Sequence, residues 1–194
     1  MDHTMVTDIV PIMSLWMPII VSAVFVFVAS SIIHMFLGYH FNDYKKAPDE
    51  AKLMDAVRGF NLMPGEYFVP RADSPRGFKD AAFQEKMSKG PIFTMSVWPA
   101  GRPSMNKSLV QWFAYCVVIG IFAAYVSGRA LGHGADYLHV FRFAGVTAFV
   151  CYAMAGWQET IWARRPVSRS LLNTFDALIY ALLTAGVFGW MWPR

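Results

Sequence analysis

Charge is scarce in this sequence. Asp, Glu, Lys and Arg make up 15% of its 194 residues, against about 25% in soluble domains. The shortage is uneven, because no Lys or Arg occurs before residue 45. A cleaved signal peptide opens with a positively charged region, whereas this chain opens with Asp2 and Asp8. The first apolar run is therefore read as a retained helix. Cysteine is scarce too. Cys116 and Cys151 both lie within apolar runs, where free thiols act as small hydrophobes, so neither a disulfide framework nor a thiolate metal site is expected. The sequence also lacks a phosphate-binding loop, an HExxH zinc motif, a GxSxG nucleophile turn and a CxxC pair. The twelve methionines are scattered rather than closely spaced, which suits core and lipid-facing packing better than copper binding. No internal repeat or broken helix of transporter type is evident.

What is plentiful is apolar and aromatic residue, at 56% and 16%. A bilayer core about 30 Å thick needs about 20 mostly apolar helical residues. Four runs qualify: 16–37, 109–130, 140–162 and 171–192. The fold expected is an all-α integral membrane protein. It is a four-transmembrane-helix bundle with a small cytoplasmic α+β or helical module between helices 1 and 2. Residues 1–38 supply a short outside tail and the first span, 39–107 the module, and 108–194 the other three spans.

Lys and Arg favour the cytoplasmic side of membrane proteins. Residues 39–107 hold eleven of them, the LGHGADYLH connection holds none, and the third connection holds Arg164, Arg165 and Arg169. Both termini are thus expected outside the inner membrane and the long connection inside. Aromatic residues agree. Trp16, Tyr137, Trp190 and Trp192 would mark the outer interface, and Tyr39, Trp112, Trp157 and Trp162 the inner one.

Small residues spaced by four allow close helix approach. The second span carries Gly120, Ala124 and Gly128, and the fourth carries Ala177, Ala181, Ala185 and Gly189. Both series predict tight contacts, with each other as the simplest arrangement. On the first span Ser22, Ser30, His34 and Gly38 share a face that should turn inward, away from lipid.

The connection of about 68 residues is too long for a structureless loop in a compact unit. Pro48, Asp49 and Glu50 open a helix, with Leu53, Met54, Val57 and Phe60 as its apolar stripe. A second helix is expected over 78–88, closed by Gly90. EYFVP at 66–70 and IFTMSVW at 92–98 read as two strands of a ribbon. Eleven basic and eight acidic residues over 39–107 suit a face beside anionic headgroups. No basic run or interleaved aromatic patch supports nucleic-acid binding.

Ionisable groups inside spans are costly and mark sites. Glu159 and Asp176 lie near the inner ends of the third and fourth spans, with Gln158 and Asn173 beside them in sequence. His34 and Gln111 have comparable depth on the first and second. Together they define a polar shelf able to hold a proton, a cation or a headgroup. The structural alternative is an interfacial network in which Glu159 or Asp176 pairs with Arg164, Arg165 or Lys107. Outside the membrane, His133, Asp136 and His139 fall within seven residues, with His3 available from the tail, and imidazoles with a carboxylate suit zinc or copper. Haem is disfavoured, because no other histidine faces His34 and His40 from the same side. No cofactor is predicted.

The missing catalytic motifs favour a non-enzymatic accessory or scaffold protein of the inner membrane. Its partners would be lipid and either another protein or a second copy. The rival is a small transporter or membrane-embedded enzyme using His34, Glu159 and Asp176. A third reading is an extracytoplasmic metal-binding protein.

Overall fold

A computed structural model describes residues 9–194. The sequence-predicted contribution of His3 to an outer cluster lies outside those residues. In chain order the elements are α1 (Trp16–Phe36), α2 (Glu50–Arg58), β1 (Gly65–Val69), α3 (Ala81–Lys89), β2 (Phe93–Val97), α4 (Met105–Ala130), α5 (Tyr137–Trp162) and α6 (Val167–Trp190). Two compact units result, a helical unit of residues 9–44 and 104–194 and a module of Lys45–Pro103.

The helical unit contains four helices long and apolar enough to cross a membrane. The shortest, α1, has 21 residues, about 32 Å at 1.5 Å per residue. Large apolar side chains such as Val24, Phe25, Val28 and Ile32 point outward, as lipid contact requires. The chain is a multi-pass membrane protein. Each helix begins where the local chemistry permits. Ser104 Oγ accepts from Lys107 N at the start of α4, Asp136 caps α5 through Leu138 N, and Pro166 precedes α6. Such caps satisfy N–H groups that the first turn leaves free.

The helices contact one another around a ring in the order α1, α4, α5, α6, and α6 closes back onto α1. The small-residue series explain two of these seams. A Cβ on Gly120 would sit 3.2 Å from Ile19, and one on Gly128 only 2.5 Å from the Val10 carbonyl oxygen. Ala124 is fully buried beside Leu15 and Ile19. The α4 groove therefore receives the first helix and the segment leading into it. On α6, Ala185 lies 3.0 Å from where a Gly145 Cβ would be, and Gly189 faces the Tyr137 ring. Ala181 packs in a cluster with Ala148 and Ile119, and Ala177 is buried on the same face. The two grooves thus serve separate interfaces, not a shared one. The α4 groove receives the bulky Ile19 and Leu15, and the α6 groove meets Gly145 and the Tyr137 ring on α5.

Ser22 and Ser30 are buried on α1 as their common face suggests, while His34 near its end is about half exposed. Trp112 and Trp157, expected at the inner interface, turn their indole N–H groups to neighbouring helices. Trp112 donates to Ser30 at 2.7 Å and Trp157 to Thr174 at 3.0 Å. An indole N–H within lipid needs such a partner.

The module is described by itself. Asp49 caps α2 through Lys52 N. β1 and β2 pair antiparallel, from Gly65 opposite Val97 to Val69 opposite Phe93. Phe83 on α3 stacks edge-on against Phe78, with ring centroids 5.3 Å apart.

Candidate functional site

The site begins with the end of α1. Gly38 adopts φ 66°, the left-handed region that glycine enters without steric penalty. The chain reverses there into a single 3₁₀ turn, Tyr39–Asp43, instead of leaving the bundle. This turn is pinned to α6 by its side chains. The Tyr39 hydroxyl donates to Asp176 Oδ1. His40 Nε2 lies 2.7 Å from Asp176 Oδ2, and His40 Nδ1 lies 2.7 Å from Asp43 Oδ2. Just beyond the turn, Tyr44 accepts from Arg169 Nη2 at 3.0 Å and takes its guanidinium over the ring at 4.7 Å.

His34 completes the cluster. Its Nε2 is 4.0 Å from Asp176 Oδ2, and its ring centre is 4.5 Å from that of His40. Ligand atoms of His34, His40 and Asp176 all fall within 4.8 Å of one another, and this is the one such metal-competent group among the described residues. Asp176 is 4% exposed and His40 12%. A carboxylate buried this far needs partners, and it has Tyr39 and His40. Burial alone would pull the His40 pKa down, yet the hydrogen bonds to Asp43 and Asp176 outweigh it and hold His40 above the ordinary imidazole range. Burial, reinforced by the bond to Asp176, pushes the Tyr39 phenol above its ordinary value, so it stays a donor.

A cleft of about 250 Å³ opens beside the cluster. His34 and Asp176 line it, with Asn173 and Ser170 from α6 and the rings of Trp112 and Tyr152 from α4 and α5. One side of the cluster therefore faces open space.

Of the sequence-predicted shelf, His34 and Asp176 come together and Asn173 shares their cleft. The others turn elsewhere. Glu159 is 66% exposed, with Arg165 at 3.9 Å, and it stands outside the ligand group. The reason is rotational. On α5 the face towards α6 is set by Trp157, and by Thr160 bonded to Ser170. Glu159 lies about 100° from Thr160 and about 200° from Trp157. Gln158 is likewise exposed, as is Gln111 beside the inward-facing Trp112. The outer set His133, Asp136 and His139 is not assembled as a metal-competent group among the described residues. Asp136 there directs its carboxylate to the cap of α5.

Sequence reasoning missed Tyr39, His40 and Asp43 as site residues. The available signal was local. A glycine ends the apolar run, and His40 and Asp43 follow at a spacing of three, within one helical turn.

Chemically, two imidazole nitrogens and a carboxylate oxygen form a donor set suited to zinc and its first-row neighbours. A ligating histidine usually gives its second ring nitrogen to a carboxylate, and Asp43 occupies that place for His40. Tyr39 holds the distal oxygen of Asp176 in the same way. Around a tetrahedral zinc with bonds of about 2.0–2.1 Å, ligand atoms lie about 3.3 Å apart. His40 and Asp176 would separate by about half an ångström to reach that, and His34 would move in by about 1.5 Å where the ligand atoms now span 4.8 Å. No family model matches this chain, nor does any curated protein or solved structure, so its chemistry is read from the cluster itself.

Proposed function

We propose that this membrane protein binds a divalent transition metal of the zinc class through His34, His40 and Asp176. One observation carries the reading: three ligand atoms, from the end of α1, the turn after it and the body of α6, converge within 4.8 Å, while Asp43 orients His40 from behind. The cleft on the open side leaves room for a fourth ligand, as in sites that exchange or activate what they bind. When bound, the metal would supply Lewis acidity at that position. The protein's residues would hold it, keep the histidine tautomers fixed and line the approach.

This reading replaces a plain scaffold role with metal handling in the membrane and retains the expectation of an inner-membrane protein. The Arg-bearing turn between α5 and α6 and the basic connection between α1 and α4 favour a cytoplasmic position for the site. Both termini then lie outside.

The test is metal stoichiometry. Full-length protein, purified in detergent, is loaded with zinc, freed of excess and analysed by mass spectrometry. Close to one zinc per chain is expected for wild type and far less for His40→Ala. Wild type carrying no more zinc than the variant rejects the proposal.

A second reading rests on the 2.7 Å His40–Asp176 contact, shorter than ligand spacing around zinc. In it the cluster is a clasp that ties the turn after α1 to α6. Loss of helix packing in His40→Ala, with no metal in wild type, would support the clasp alone.

A further inference from the structure

The module presents more uncovered apolar surface than its size explains. Over residues 45–103 Phe83 is the one buried side chain. Between α2 and the β1–β2 ribbon lies an apolar groove of about 630 Å³. Leu53 and Val57 of α2, with Phe60 from the turn after it, form one side, and Tyr67, Val69 and Phe93 of the ribbon the other. This is the expected amphipathic stripe of α2 facing one face of the ribbon, since Tyr67 and Val69 alternate to the same side and pair with Met95 and Phe93. The helix does not pack closely enough on the ribbon to close the gap. Phe60 at the groove remains 74% exposed.

Three observations say what covers it. First, the module is tethered at both ends to the same membrane face. Met105 begins α4 only two residues after Pro103, a reach of about 7 Å. Second, charge surrounds the tethers. Lys45, Lys46, Arg102 and Lys107 flank the points where the module joins the spans, and residues 45–103 hold ten basic against seven acidic groups. Basic groups beside an anionic leaflet are drawn to its surface. Third, the groove offers little to a polar partner. No charged side chain lines it, and the Tyr67 hydroxyl is already bonded to the Met63 carbonyl.

We propose that this groove takes up acyl chains from the leaflet to which the module is tethered. The module then lies in the interface as a monotopic amphipathic element does. Hydrocarbon supplies the apolar contact that the module does not make within itself.

The experiment places a tryptophan at the groove of the full-length protein, as Phe60→Trp just past the end of α2, and a control on the side of α2 away from Leu53, as Ala51→Trp. Each is reconstituted in vesicles of phosphatidylcholine and phosphatidylglycerol, with or without bromine on the acyl chains near the glycerol. The fluorescence added over wild type is measured. Phe60→Trp should emit at shorter wavelength and lose emission to brominated lipid, and Ala51→Trp should do neither. Three outcomes would overturn the proposal. The first is an unquenched, water-like signal at position 60. The second is equal quenching at both positions. The third is a blue-shifted but unquenched signal that grows with protein-to-lipid ratio, which would assign the groove to a second copy.

Discussion

Replacing Asp176 with Asn separates the metal site from the clasp. Asp176 accepts from Tyr39 and meets His40 at 2.7 Å. Asn keeps one oxygen for the Tyr39 hydroxyl. Its amide can donate to His40 Nε2, provided His40 carries its proton on Nδ1 and donates to Asp43. The geometry of the clasp is therefore preserved while its charge is lost. Hydrogen bonds to charged groups contribute about 1.5–3 kcal/mol and neutral ones about 0.5–1.5. With two bonds affected, the loss of stability should come to about 1–3 kcal/mol. Metal binding responds differently, because an amide nitrogen has no lone pair for a metal and the anionic ligand is gone. Asp43→Asn removes only the group behind His40, a change that typically costs about 10–100-fold in affinity. Asp176→Asn should exceed that loss. Full-length protein in detergent, titrated with zinc against a chromophoric chelator, gives the affinities, and a thermal scan gives the stability. Equal zinc affinity in wild type and Asp176→Asn would refute the assignment of the carboxylate as a ligand.

Other expectations follow from the same geometry. Gly128→Ala drives a methyl to 2.5 Å from the Val10 carbonyl oxygen and should destabilise the bundle by about 1–3 kcal/mol. Gly156→Ala, where a Cβ meets nothing within 4 Å, should leave thermal stability unchanged in the same detergent. Gly38→Ala strains a residue at φ 66° by about 1–2 kcal/mol; it should weaken zinc binding by displacing the turn that carries His40, which the chelator titration reads directly. A fusion of alkaline phosphatase to the C-terminus should be active and a fusion within residues 45–103 inactive, with the reverse pattern contradicting the orientation.

The bundle was legible because lipid imposes a coarse rule. An apolar run long enough to span rarely arises in any other setting, and 16–37 and 140–162 foresaw α1 and α5 to within three residues at each end. The ribbon was legible for a similar reason, since alternation and bounding Gly or Pro mark short strands. The site was only half legible. Depth along a helix can be counted, so His34 and Asp176 could be placed at one level. Rotation about the axis could not, and Glu159, Gln158 and Gln111 turned away because Trp157, Thr160 and Trp112 took the inward positions. Tyr39 and His40 were assigned to the connection, because an apolar run says where a helix stops but not where the chain goes next. The left-handed Gly38 decides that, and with it the site.

The turn after α1 reaches its partner only on α6. Residues adjacent in one cluster are thus 136 positions apart in the chain. During synthesis His34 and His40 leave the ribosome long before Asp176 exists. The first span must wait in the bilayer with its polar end unmatched until the fourth is inserted beside it. Closure of this cluster therefore coincides with closure of the helical ring, and a chain halted after α5 has neither.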